Sequence, residues 1–338
     1  MQRARLALLL VVSLESLACG KSAPKTAGLG TGGTAGVGSF DSAGSAGDGH
    51  GGEQPAQRCV DPVRSVAPAC NGVESPLQDR PYCIKVPSTY AAGSAVPLLL
   101  LLHGFNASGQ IQADYFDFDA LAEHHGFLLA KPDGTMNRLG SRYWNASPAC
   151  CAPSTAEAPD DVAYLGAVLD DVEQRYTVDA SRVYVVGHSN GAFMAQRLAC
   201  DLSQRLAGVV SLAGAVDTSA CAPAAHVSLL EVHGTSDQLV HYDGGTLPTF
   251  MAPYPSVDQT LAFWRSANGC SAPASPQPFD LVCDSSAPGP ETQHISSSCA
   301  DGTSTELWRM DGVGHIPAFV LPTWPEDVYR FLAAHVRR

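Results

Sequence analysis

The sequence predicts an α/β fold: a mostly parallel central sheet flanked by helices, with no large cap domain. Three observations carry this. Val96–Leu102 is a continuous apolar run, as expected of a strand buried on both faces, and Val183–Val186 and Gly208–Leu212 read as further strands. From about Tyr82 onward such runs alternate with helical stretches, such as Val162, Leu165, Leu169, Val172 and Tyr176. Between Gly208–Leu212 and Val227–Val232 there is only a short loop containing Cys221, too little for a cap. The chain has 338 residues, 45% of them hydrophobic, enough for one large core. Net charge is −13 with no basic cluster, so no nucleic-acid partner is expected.

Residues 1–19 read as an export signal. Arg3 and Arg5 precede the apolar run Leu6–Leu14, which is too short to span a bilayer as a helix. Cleavage before Cys19, with a lipid added there, is the favoured reading. The alternative is a secretory signal cut near Ala18 or further on. A lipid on Cys19 is the only membrane attachment expected. Residues 20–56 are Gly, Ala, Ser and Thr with few large apolar residues, and read as a flexible linker. The catalytic domain is then 57–338.

With Cys19 set aside, ten of the eleven cysteines remain, and an even set in an exported domain predicts five disulfides. Cys200 and Cys221 are plausible partners, and a bridge between the N-terminal and C-terminal segments is expected. Adjacent Cys150 and Cys151 are expected to pair elsewhere, because neighbouring Cα atoms lie about 3.8 Å apart. No cysteine pair has zinc-like spacing, so neither a metal site nor a cofactor is expected.

In chain order, Arg80–Val86 alternates like a strand. Val96–Leu102 ends in His103-Gly104-Phe105. His103 reads as a structural residue at a tight strand exit, because it precedes the later Gly-x-Ser-x-Gly and sits in another loop. Asp114–His125 is a predicted helix and Phe127–Ala130 a short strand. Tyr143 and Trp144 follow in the loop 137–151. They are candidate substrate-binding rings, with burial beneath the loop as the alternative for Trp144. Asp160 and Asp161 open a helix through Tyr176, as acids favour a helix N-terminus. Val257–Asn268 reads as a helix, Cys270–Cys299 as disulfide-held loop, and Glu306–Met310 as a last strand. Thr323-x-x-Glu326 is expected to cap a helix over Pro325–Val336.

Val183–Gly191 reads Val-Tyr-Val-Val-Gly-His-Ser-Asn-Gly, with the apolar stretch Ala192–Ala199 behind it. That is strand, sharp turn, helix, with Ser189 forced into a strained backbone at the turn. Gly187 and Gly191 are required where strand and helix pass too close for side chains. A serine hydroxyl needs a base, an orienting acid and an oxyanion hole to act as a nucleophile. His315 lies among glycines after the last strand, and Asp237 follows Val227–Val232; Asp243, further into the loop, is its rival. Backbone N–H groups of Phe105 and Asn190 are the expected oxyanion donors. The order Ser189, Asp237, His315, each after its own strand, is that of the α/β-hydrolases.

The chain resembles the secreted polyhydroxybutyrate depolymerase / feruloyl esterase family of α/β-hydrolases. The matching segments run from Leu99–Gly104 and Lys131–Gly134 through Trp144-Asn145, Cys150-Cys151 and Asp160–Val162. They continue through Val183–Gly191, Leu198–Cys200 and His233–Asp237 to Gly314-His315. The resemblance implies the same nucleophile, acid and base, and an ester substrate that is a polyester or a feruloylated polysaccharide. Ile316–Phe319 and the Cys270–Cys299 stretch depart from the family pattern. The alternatives are an acetylxylan or general carboxylesterase and, from another class, a surface-anchored binding protein that keeps the hydrolase fold.

Overall fold

The computed structural model describes residues 58–60, 69–77, 80–151, 158–248, 250, 252–283 and 290–338. The export signal, Cys19 and the linker fall outside the described residues. Ten strands form one sheet. In chain order they are β1 (Val73–Ser75), β2 (Tyr82–Lys85), β3 (Val96–Leu102), β4 (Leu128–Pro132) and β5 (Val178–His188). β6 (Gly208–Leu212), β7 (Ser228–Gly234), β8 (Gln277–Phe279), β9 (Thr292–Ser298) and β10 (Ser304–Met310) complete it. Across the sheet the order is β1-β2-β4-β3-β5-β6-β7-β10-β9-β8. The neighbours from β4 to β10 run parallel, and antiparallel strands close both edges.

Six helices sandwich this sheet: α1 (Gly109–Phe116), α2 (Phe118–His125), α3 (Asp161–Arg175), α4 (Asn190–Asp201), α5 (Val257–Ala267) and α6 (Thr323–Ala333). The two-residue period of β3 explains the layering. Leu98, Leu100 and Leu102 pack with residues of α3, α4 and α5, while Leu99 and Leu101 pack with residues of α1, α2 and α6. All five leucines are buried, which is why the run shows no polar alternation.

Three predicted elements need correction. The single helix over Asp114–His125 is two, because the chain turns at Asp117 with φ 58°. Aspartate tolerates this left-handed conformation, and its N–H still reaches Ala113 O and Asp114 O. Within the predicted loop Cys270–Cys299, β9 pairs residue by residue with β10, from Thr292 opposite Met310 to Ser298 opposite Ser304. Its residues Thr-Gln-His-Ile-Ser-Ser-Ser carry little apolar signal because it lies near the sheet edge. The last helix begins at Thr323, so Thr323 is inside it and makes no side-chain cap.

The five disulfides are Cys59–Cys283, Cys70–Cys83, Cys150–Cys151, Cys200–Cys221 and Cys270–Cys299. Cys59–Cys283 is the expected tie between the two ends, and it sits beside the antiparallel pairing of Arg58–Cys59 with Val320–Leu321. Cys150 and Cys151 do not pair elsewhere. Their shared peptide is cis, which brings the Cα atoms to 3.1 Å, and the 3.8 Å separation assumed from the sequence belongs to a trans bond.

Candidate active site

Three side chains follow the C-terminal ends of interior parallel strands of the sheet. β5 ends at His188, and Ser189 follows with φ 55° and ψ −121° before α4 begins. This backbone is held from both sides. Ser189 N–H donates to Leu212 O of β6 at 2.8 Å, and Ser189 O accepts from the N–H groups of Ala192 and Phe193 in α4. The flanking glycines have the steric role the sequence implied. A Cβ on Gly187 would lie 2.1 Å from Gly191 O, and one on Gly191 would lie 2.3 Å from Leu102 O. Strand, turn and helix therefore meet backbone to backbone.

The turn after β7 supplies Asp237, and the turn after β10 supplies His315. His315 Nδ1 donates to Asp237 Oδ2 at 2.7 Å, and Ser189 Oγ donates to His315 Nε2 at 2.9 Å. Asp237 Oδ1 accepts from the N–H groups of Leu239 and Val240 at 2.8 and 2.9 Å, so its orientation is fixed by its own loop. Burial works to raise the Asp237 carboxyl, but hydrogen bonds from His233 and His315 outweigh it and hold it well below the ordinary carboxylate range. It is the ionised partner that a tautomer-fixing acid must be. The rival Asp243 makes no such contact with His315 among the described residues.

Two other histidines lie close by and are not bases. His103 is buried; its Nδ1 donates to Gly104 O and its Nε2 accepts from Gly134 N–H. Burial pushes it down to about 4. His188 donates through Nε2 to His315 O at 3.1 Å, and burial pushes it down to about 3. Both are neutral at pH 7. His103 thus pins the β3 exit to the 134 turn, and His188 supports the loop that carries His315.

The β3 exit passes beside Ser189: a Cβ on Gly104 would lie 3.5 Å from Ser189 Cβ. Phe105 and Asn190, the expected oxyanion donors, stand on either side of this contact in the two chain segments. The Asn190 side chain has a task that the sequence did not reveal. It is buried, accepts from Trp144 N–H at 2.7 Å and donates to Trp144 O at 2.9 Å. It thereby fastens the 143–151 loop to the start of α4.

Trp144 and Tyr143 are not substrate platforms. Trp144 is fully buried, with its indole N–H donating to His103 O at 3.0 Å, and Tyr143 is buried beside it. The ring packs under the loop because an indole needs both apolar cover and an acceptor, and the β3 exit offers both. Asp161 does more than favour the helix N-terminus. It stands in the first turn of α3, while Asp160 caps that helix through Ala163 N–H. Yet Asp161 is fully buried, accepts from Asn145 N–H at 2.7 Å and pairs with Arg80 at 2.7 Å. Asp161→Ala removes the acceptor of both groups and is expected to lower stability by about 3 kcal/mol, read by urea denaturation.

The phospholipase/carboxylesterase family matches residues 89–248 of the chain. Feruloyl esterase B of Piromyces equi is 25% identical over 244 residues, which cover 70% of this chain and 42% of that protein. The chain thus spans about two fifths of that relative's length. Feruloyl esterase C of Emericella nidulans is 25% identical over 241 residues, covering 69% of this chain and 76% of that protein. The chain has an α/β-hydrolase fold and is similar in sequence to these feruloyl esterases. Among solved structures, the acetyl xylan esterase from Aspergillus awamori superposes with a TM-score of 0.53 at 15% identity, covering 82% of this chain and 99% of that one. That likeness is one of fold. In this α/β-hydrolase only the loop 213–227 separates β6 from β7, so no cap is inserted there.

Three large apolar residues close in the chain to the site are exposed. Phe105 follows Gly104, Leu239 follows the Asp237 turn and Ile316 follows His315; they are 48%, 50% and 53% exposed. Each lies within two residues of one that builds the site. The sequence showed these residues but not their exposure, because a single apolar residue in a loop carries no periodic signal.

Proposed function

We propose that this protein hydrolyses carboxylic esters outside the cytoplasm, through an acyl intermediate on Ser189, with esters of hydroxycinnamic acids on polysaccharide as its substrate class. The observation that carries the reading is the continuous contact from Ser189 Oγ to His315 Nε2 and from His315 Nδ1 to Asp237 Oδ2. In that geometry His315 takes the proton of Ser189 as Oγ attacks the ester carbonyl. Asp237 holds the tautomer and stabilises the imidazolium. The N–H groups of Phe105 and Asn190 receive the oxyanion. Collapse of the tetrahedral intermediate expels the alcohol, which leaves with the proton from His315. Water then repeats the sequence on the acyl-Ser189 ester, releasing the acid and restoring the serine.

Several features support this substrate class. Relatives are named for feruloyl ester cleavage. Exposed Phe105, Leu239 and Ile316 suit an apolar acyl group, and the lack of a cap inserted at 213–227 suits a polymer. Five disulfides agree with an oxidising compartment. Delivery rests on the sequence: the signal over 1–19 and, for anchoring, a lipid on Cys19.

A substrate panel tests the reading: methyl ferulate, 3-hydroxybutyrate oligomers, acetylated xylan and p-nitrophenyl acetate. Methyl ferulate is expected to give the highest kcat/KM. Preference for hydroxybutyrate oligomers would make the protein a polyester depolymerase, and preference for acetylated xylan would replace the acyl assignment. The double variant Phe105→Ala/Ile316→Ala is expected to raise KM for methyl ferulate about tenfold, while leaving KM for p-nitrophenyl acetate within about twofold. Equal effects on both esters would remove these two residues from acyl recognition.

A further inference from the structure

Behind Asp237 lies a buried polar chain that the hydrolytic mechanism above does not use. Glu231 and His233 sit on β7, within an otherwise apolar strand, and both are buried. His233 Nδ1 faces Glu231 Oε1 at 3.1 Å. His233 Nε2 faces Val240 O at 2.8 Å and Asp237 Oδ2 at 3.5 Å. With Glu231 ionised, as its acceptance of the Gln196 Nε2 and Gly214 N–H groups favours, every partner of the ring nitrogens is an acceptor. A neutral imidazole has one N–H and one lone pair, so it would leave a lone pair pointing at an oxygen. The doubly protonated ring beside an ionised Glu231 satisfies this arrangement; the competing arrangement is a neutral ring beside a protonated Glu231, whose carboxyl burial pushes up. Burial works against that charge, but the hydrogen bonds to Asp237 and Glu231 outweigh it and push His233 up to about 9.

The far end is equally well defined. Trp264 N–H of α5 donates to Gln196 Oε1 at 2.9 Å, which fixes the amide so that Gln196 Nε2 points inward. That nitrogen donates to Glu231 Oε2 at 2.9 Å and to Ser211 Oγ at 3.0 Å. Gln196 lies on α4, the helix that begins directly after Ser189. The chain thus joins the nucleophile's helix to the acid's loop. Around the ring, the groups facing His233 are Glu231, Asp237, the Val240 carbonyl and the edge of Tyr242, whose hydroxyl burial pushes up to about 12 and keeps neutral. Asp237 in turn meets His315, whose ring has neutral His188 on its other side.

We propose that His233 is a standing imidazolium, held by Glu231, that clamps the Asp237 carboxylate and limits how strongly Asp237 draws a proton onto His315. It is a positioning residue, and the proposal rests on the assignment of Ser189, Asp237 and His315 above. Its chemical logic is a shared carboxylate oxygen: His233 and His315 both address Asp237 Oδ2. With a cation already behind that oxygen, protonating His315 is less favourable than it would be beside a lone carboxylate.

Two measurements test this. In the native full-length protein, ¹⁵N imidazole NMR is expected to show one histidine with both ring nitrogens protonated at pH 8, assigned to His233 by its loss in His233→Gln or by sequential labelling. A single-tautomer, neutral His233 at pH 7 would overturn the proposal, whatever the activity. In His233→Gln the acidic limb of kcat/KM for p-nitrophenyl acetate is expected to move up by about one pH unit. The plateau falls less than about tenfold, because Leu239 and Val240 still hold Asp237. An acidic limb that stays in place or moves down, with activity lost, would make His233 structural only and overturn the proposal. Failure of the triad assignment is separate: it would appear as turnover in Ser189→Ala and would leave the His233 resonance unchanged.

Discussion

Ser189→Ala is expected to reduce kcat for ester hydrolysis by on the order of 10⁵-fold, with thermal stability unchanged. The first half follows from the contact with His315 at 2.9 Å: without Oγ there is no acyl-enzyme. What survives is catalysis by binding and by the oxyanion donors alone. The second half follows from the backbone. The φ of 55° at position 189 is set by bonds from its N–H to Leu212 O and from the N–H groups of Ala192 and Phe193 to its carbonyl. None of these uses the hydroxyl, and alanine carries the same Cβ as serine. Loss of labelling by a serine-reactive phosphonate, with an unchanged melting curve, is the matching readout. Turnover above about one part in 10³ of the native rate would place the nucleophile elsewhere.

Gly191→Ala, two residues away, is expected to do the opposite: it damages the fold before the chemistry. The added Cβ would lie 2.3 Å from Leu102 O and 2.6 Å from His103 O. Both are backbone atoms at the end of β3, in the middle of the sheet, so no flexible side chain can swing aside. The whole of α4 would have to withdraw, taking Phe193, Met194 and Leu198 out of their core contacts. A loss above about 3 kcal/mol, or failure to accumulate as folded protein, is expected. Gly166→Ala is the control. Gly166 lies inside α3 and a Cβ there meets nothing within 4 Å. That change is expected to be neutral or stabilising by up to about 1 kcal/mol, since alanine favours a helix interior. Equal behaviour of the two variants would disprove the close-approach argument.

The parts of this protein that were legible in the sequence are those where a local pattern and a local cause coincide. Val96–Leu102 is a strand with the predicted limits because burial on both faces leaves no other reading of seven apolar residues. The turn at Ser189 was legible because its two glycines answer a clash that recurs wherever strand, turn and helix meet so tightly. Asp237 and His315 were legible from their place after strands, and the structure brings both to Ser189.

What stayed hidden depends on partners far along the chain. Trp144 is aromatic and lies in a loop, and nothing local says that His103 O and Asn190 wait to receive it. Asp161 looks like an ordinary first-turn acid until Arg80, 81 residues away, pairs with it. β9 was hidden because a near-edge strand with Ile295 as its one apolar residue has no apolar face to announce it. One signal was available and unused. Glu231 is a carboxylate inside the apolar strand Ser228–Gly234, and a charge in such a place implies a buried partner.

Cys59–Cys283 closes a covalent ring of most of the domain. Ser189 and Asp237 lie within that ring and His315 lies beyond it. A protease that cuts one exposed peptide bond between positions 60 and 282 therefore creates a new pair of chain ends without releasing a fragment. The severed halves remain at each other's effective concentration, with Ser189 still tied to His315. In a compartment rich in other hydrolases, that turns a single nick from a lethal event into a tolerable scar.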